Sequence, residues 1–311
     1  MLLHVHIFFV PTNVVVTQDD GMISFFLKEF IKPLPANILG FLYVALLLIQ
    51  SIRLEYLMSE LKMFHKDGFT TALAYLLLSG LYPVWYHITP ALVANSFIIW
   101  IFIQLSKLYN NPSPKTLLFN TGLIVGATVL CYHPAAIILV VVLFSVALIR
   151  PFHLSEYFVL LMGCVMPFYL IISLLFLNDQ MVLLKSFIPS IKFLLPVITT
   201  DLFFWISTAL IALMVLAGLF VWSPQNNRMV IQIRKSWNVM LLMLLVILIV
   251  PLFISHAGMV SAVLIMVPFA AFISNVFLYP KRLWFPNLLF FLVLALVCYY
   301  NWQLLKLPLK L

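Results

Sequence analysis

Charge is what this chain has least of: nine Asp and Glu and seventeen Lys and Arg make up only 8% of its 311 residues, while 65% are hydrophobic. A soluble domain, with about a quarter of its residues charged, is excluded, and a mean hydropathy of +1.18 points to lipid as the solvent. Alternating polar and apolar residues are missing too. Stretches such as 135–149 are apolar on nearly every face, which excludes a transmembrane barrel and leaves helices as the spanning element. Cysteine is rare: Cys131, Cys164 and Cys298 lie inside apolar segments without metal-site spacing and read as small buried hydrophobes. No GxGxxG loop, P-loop or Ser-centred nucleophile motif is present, and the polar connections are too short to fold a nucleotide-binding domain. Although the net charge is +8, the basic residues stand singly between apolar runs, so nucleic acid is not an expected partner. No acid or base lies deep in any span, which weakens ion-coupled transport.

What is there is a succession of apolar runs of the length that crosses roughly 30 Å of hydrocarbon. Spans are expected at 34–52, 69–87, 88–107, 116–133, 134–150, 154–176, 201–223, 238–255, 257–279 and 284–304. The fold class is therefore all-α, a polytopic transmembrane bundle of about ten spans forming one domain over 1–311. Pro33, Pro35, Pro90, Pro112, Pro114, Pro134, Pro151, Pro224, Pro280 and Pro286 punctuate span ends, whereas Pro167, Pro251 and Pro268 are expected as kinks inside spans.

Every second connection is basic: Arg53, Lys62 and Lys66; Lys107 and Lys115; Arg150; Arg228, Arg234 and Lys235; Lys281 and Arg282. By the positive-inside rule these face the cytoplasm of a bacterial inner membrane, and the connections holding His87, His133 and His256 face outward together with an interfacial segment at 177–200. That phase puts both ends of the bundle outside, although Lys28 and Lys32 precede the first span. Residues 1–10 lack a basic leader and a cleavage site, so no cleavable signal is expected. Two explanations stand: residues 1–21 are the remnant of a helix that begins upstream, or Met22 is the natural start and 69–87 dips into the membrane without crossing.

The order of several short motifs resembles a Bacteroidota inner-membrane family, domain of unknown function 6427. They are Met22-Ile23-Ser24-Phe25-Phe26, Leu118-Phe119-Asn120-Thr121-Gly122, Tyr132-His133-Pro134, Ile149-Arg150-Pro151-Phe152, Gly163 with Pro167-Phe168-Tyr169, and Pro268-Phe269-Ala270-Ala271. The resemblance runs from about Met22 over nearly the whole remaining chain and implies no activity. In layout the chain is also similar to GT-C type glycosyltransferases that use lipid-linked sugars, in which the first outward loop carries a catalytic acid. That likeness implies Asp19 or Asp20 as the acid, or Glu55, Glu60 or Asp67 if Met22 is the start.

A carboxylate at the membrane surface can activate an acceptor hydroxyl, but a solvated pair before the Gly21 turn explains Asp19 and Asp20 as well. Lys185 and Lys192 are seven residues apart in an apolar stretch interrupted by Pro189; they would hold a lipid diphosphate or simply snorkel to the headgroups. His133 joins them as a candidate phosphate contact. With no metal spacing among the histidines, neutral interfacial residues are expected, no metal or other cofactor, and no oxygenase centre. Asn95, Gln104, Asn120, Ser207, Thr208 and Asn275 read as interhelical packing glue, and Trp85, Tyr86, Trp284, Tyr299, Tyr300 and Trp302 as aromatic belts. The sequence thus favours a scaffold or accessory subunit among other envelope proteins over an enzyme acting on a polyprenyl-linked lipid, with a transporter third.

Overall fold

A chain this apolar satisfies its backbone polar groups by coiling them into helices, because lipid offers no alternative partner. The computed structural model describes residues 12–16, 21–66, 68–184, 201–226, 228–254, 258–280 and 282–306. Its helices in chain order are α1 (Met22–Phe26), α2 (Ala36–Glu60), α3 (Thr70–Ser79), α4 (Pro90–Ser106), α5 (Pro114–Cys131), α6 (Ile137–Ile149), α7 (Leu154–Leu177), α8 (Leu202–Asn226), α9 (Ile231–Ile247), α10 (Met266–Leu278) and α11 (Trp284–Lys306). No strand occurs among the described residues; Val14 and Ile88 form one isolated parallel bridge. The protein is all-helical, and seven segments are long and apolar enough to cross a bilayer, which makes it a multi-pass membrane protein by length and composition. The other three expected spans are the shorter stretches Thr70–Ser79, Pro90–Ser106 and His133–Ile149.

The ten segments alternate in direction, and long-range hydrogen bonds show which connections share an end. At one end the His65 amide donates to the Tyr279 hydroxyl (2.6 Å), Trp237 Nε1 to the Met63 carbonyl (3.2 Å) and Lys235 Nζ to the Ile149 carbonyl (2.6 Å), while Arg150 Nη1 reaches the Leu108 and Asn111 carbonyls (3.3 and 3.0 Å). This end carries the described basic residues other than Lys28, Lys32 and Lys306. At the opposite end residues 12–16, 80–89, 131–136 and 258–261, which hold no Lys or Arg, come together. The alternation of basic connections along the sequence is thus a segregation in space.

The expected end of the first span changes. α2 continues to Glu60 instead of ending at residue 52, so Arg53, Glu55 and Glu60 sit on a helix and not in a loop. The 69–87 stretch runs antiparallel along α2: Glu55 contacts the start of α3, Gln50 its Tyr75, and Tyr43 the turn beyond it at Trp85. From residue 55 to 43 is about 18 Å of helix, short of the hydrocarbon thickness. α3 is ten residues long because it stops at Gly80, and a 3₁₀ turn at Pro83–Tyr86 completes the pass.

Three glycines bring α5 and α7 together. A Cβ built on Gly122, Gly126 or Gly163 would lie 2.2 or 2.3 Å from a carbonyl oxygen of the facing helix, so main chain touches main chain there. Gly218 meets the Phe272 carbonyl in the same way and fixes α8 on α10. Between α9 and α10 the chain is irregular: Val250–Ile254, containing Pro251, is a π turn, and Gly258–Ile265 is a 3₁₀ stretch. Pro167, in contrast, is carried inside a continuous α7, and Pro268 lies in the first turn of α10, where its missing N–H costs nothing.

Candidate functional site

Among the described residues, the candidate His133 lies at the end opposite the basic connections, where the neighbouring connections are held by specific bonds. Val15 N donates to the Ile88 carbonyl (3.1 Å) and Ile88 N to the Asn13 carbonyl (3.2 Å), laying residues 12–16 over the turn between α3 and α4. The Asn13 amide also donates to His87 Nδ1 at 3.4 Å, a bond that needs the neutral ring. Burial lowers the His87 pKa below its ordinary value, favouring that form. Trp85 Nε1 donates to the Met259 carbonyl at 2.7 Å, and the Trp85 carbonyl accepts from Tyr43 Oη at 2.9 Å. Trp85 and Tyr86 are buried, so they are bundle interior and not an aromatic belt, whereas Trp284 and Trp302 are exposed as a belt requires.

His133 opens the 3₁₀ turn between α5 and α6, with Pro134 at the helical start where a missing N–H is harmless. Its side chain is 3% exposed, buried among helix ends rather than set at a headgroup surface. Gly21, which follows Asp20 in the chain, lies against the same turn: at φ +98° its Cα faces the Leu130 and Cys131 carbonyls so closely that a Cβ would come within 2.5 Å. Only glycine fits there. Asp19, Asp20, Lys185 and Lys192 themselves lie outside the described residues, as do Asp67 and His256. No group of three or more His, Cys, Asp or Glu side chains converges on a metal position among the described residues.

The remaining candidate acids have other work. Glu55, buried inside α2, accepts hydrogen bonds from the amides of Thr71 (2.7 Å) and Ala72 (3.0 Å), capping the exposed N–H groups of α3 from a neighbouring helix. Glu60 is exposed at the end of α2. Glu156, also buried, pairs with Arg150 at 3.6 Å, and Arg150 and Lys235 bind carbonyls at the ends of α4 and α6, where the helix dipole favours a cation. Lys235 also stands 5.0 Å over the Tyr109 ring.

In the middle of the bundle is a neutral network that composition alone does not reveal. Gln50 Nε2 donates to the Leu92 carbonyl (2.7 Å) and to Ser96 Oγ (2.8 Å); Gln50 Oε1 accepts from Tyr75 Oη (2.7 Å). Asn95 Nδ2 reaches Tyr75 Oη (3.2 Å) and the Val263 carbonyl (2.8 Å), which the 3₁₀ stretch leaves open. This clamps α2, α3 and α4 to the irregular segment before α10. The expectation of polar packing glue holds for Asn95, Ser207 (to Tyr300) and Thr208 (to Tyr82), while Asn275 Nδ2 bonds within its own helix. Gln50 and Tyr75 were legible only as polar atoms in apolar runs; their pairing spans 25 residues and has no local signature.

No family model matches the chain, and no curated protein or solved structure is found to match it.

Proposed function

We propose that this protein is a non-catalytic scaffold or accessory subunit of an envelope assembly in a bacterial inner membrane, with its Arg- and Lys-bearing end in the cytoplasm, as in the Bacteroidota family it resembles. The observation that carries this reading is the engagement of its buried acids and the half-buried Arg150: Glu55 caps α3, and Glu156 and Arg150 tie together helix ends. These groups hold the bundle in one shape. A wide apolar periphery accompanies them, since only 22% of the α7 window and 28% of each of the α8 and α11 windows is buried within the chain. Such faces suit lipid or the transmembrane helices of partner subunits. Affinity purification from native membranes in mild detergent, with mass spectrometry of proteins and lipids, tests the reading. A stoichiometric protein partner is expected; a polyprenyl-linked lipid retained without any partner would overturn it.

One observation favours a second reading, a GT-C-like enzyme for a lipid-linked sugar. Gly21, which follows Asp20 in the chain, packs against the Leu130 and Cys131 carbonyls at the end of α5, just ahead of His133. Asp20→Asn together with Asp19→Asn, compared with the parent chain for turnover of polyprenyl-phosphate sugars in membranes, separates the readings: loss of turnover supports the enzyme, and absence of turnover in the parent chain removes it.

A further inference from the structure

α8 and α11 run antiparallel and meet near the end opposite the basic connections. There the rings of Phe203 and Tyr299 stack with centroids 4.0 Å apart, and Ser207 and Tyr300 share a hydrogen bond of 3.2 Å. Toward the basic end the two helices part. Gly218 keeps α8 seated on α10, while α11 starts away from it after the Pro280 turn, leaving a wedge of about 1460 Å³ open sideways to the bilayer. Its walls are apolar, with Leu213, Leu216 and Phe220 on α8, and its mouth carries Arg282 and Trp284.

We infer that this wedge binds one anionic phospholipid from the leaflet at the basic end, its phosphate on Arg282 and its acyl chains along α8. Three features select that occupant. From Ala209 to Gln225 the wedge runs about 24 Å along α8, longer than one leaflet's share of a roughly 30 Å hydrocarbon layer, so chains entering from the basic end fit inside it. The aromatic stack and the Ser207–Tyr300 bond close its far end, which stops a transmembrane helix, about 10 Å wide and obliged to cross the whole layer, from lying in it. The mouth is cationic: Arg282 has no acidic partner among the described residues, and a guanidinium recognises a phosphate diester through charge-assisted hydrogen bonds. Trp284, exposed at the same level, has the place of a headgroup-level indole. Basic recesses between transmembrane helices are general sites for anionic headgroups. The volume exceeds the roughly 300–1,000 Å³ of sites for small ligands, as two chains require.

The test is native mass spectrometry of the full chain, delipidated in mild detergent and titrated separately with phosphatidylglycerol and phosphatidylcholine. One tightly held phosphatidylglycerol is expected, and Arg282→Gln should weaken it about tenfold, the effect of a lost charge-assisted bond, and bring it level with phosphatidylcholine. Ala212→Trp, which fills the wedge from α8, should reduce both lipids. Equal affinity for the two lipids in the parent chain, or an unchanged preference in Arg282→Gln, overturns the inference. So does a co-purified protein that Ala212→Trp releases while lipid binding stays. Arg282 is exposed, so that variant is expected to keep the parent's melting profile, and the headgroup comparison stands even where the tryptophan variant fails to fold.

Discussion

Replacing Gly163 by alanine measures how closely α5 and α7 approach. The new Cβ would stand 2.3 Å from the Phe119 carbonyl oxygen, 3.1 Å from its carbon and 3.2 Å from Gly122 Cα, all main-chain atoms that no side-chain rotation can move aside. The helices must separate by about 1 Å, and a gap of that size forfeits a quarter to a half of each dispersion contact across the interface. Overpacking against a yielding side chain costs about 1–3 kcal/mol, and an unyielding backbone belongs at the upper limit. Alanine recovers about 1 kcal/mol through its better helix propensity, which leaves a net loss of about 2 kcal/mol. Reversible unfolding in mixed detergent and dodecyl sulfate micelles, followed by circular dichroism, reads this directly. Gly122→Ala and Gly126→Ala should behave alike. Because each of Gly122 and Gly163 faces the other's Cα, combining their substitutions should cost less than the two separate losses together, the helices having already parted. Gly80→Ala is the control: its Cβ meets methyl groups of Val297 at 3.3 and 3.4 Å, which a side-chain rotation can move, and the Leu77 carbonyl at an ordinary 3.7 Å, in a backbone conformation alanine adopts freely, so its effect should stay within about 0.5 kcal/mol. A Gly163→Ala protein as stable as Gly80→Ala would refute the backbone contact.

Further outcomes follow from the hydrogen bonds. Glu55→Ala should destabilise the bundle by about 3 kcal/mol in the same unfolding assay, since two amides of α3 lose their acceptor, and Glu55→Gln, which keeps one oxygen, by less than half of that; equal losses would remove the capping role. Gln50→Leu and Tyr75→Phe, taken through a double-mutant cycle, should show a coupling of about 1 kcal/mol, and strict additivity would contradict their bond. Burial holds the folded-state pKa of His87 below its ordinary value, so the attachment of residues 12–16 is complete above about pH 6.5 and is lost as the pH falls through the lowered value. Hydrogen exchange at the Val15 and Ile88 amides, corrected for intrinsic rates, should therefore accelerate in acid, and His87→Asn should lose that pH dependence; identical protection at pH 7.5 and 5 in the parent chain counts against it.

The helical class and the order of the ten apolar segments were legible because lipid imposes one rule on every spanning residue: backbone groups must pair within the segment. The grouping of basic residues at one end was legible too, since the alternation of connections converts sequence order into position. The glycines at 122 and 126 carry a small-xxx-small spacing, but which helix they would meet had no local sign. Hydropathy placed the end of α2 at residue 52, where charge appears, yet the helix continues to Glu60 because Glu55 has a partner on α3. Trp85 and Tyr86 looked interfacial from their position near a span end, and are interior because the neighbouring segments close over them.

By itself the sequence determined the apolar, all-helical class and the grouping of basic residues at one end, consequences of composition within windows of about twenty residues and of the order of the connections. Tertiary structure alone decided that Glu55 is a helix cap, that Gln50, Tyr75 and Asn95 form one clamp, and that α8 and α11 part around a wedge with Arg282 at its mouth. Each of these depends on groups many residues apart meeting at hydrogen-bond or van der Waals distance, and those distances are set by the packing of whole helices.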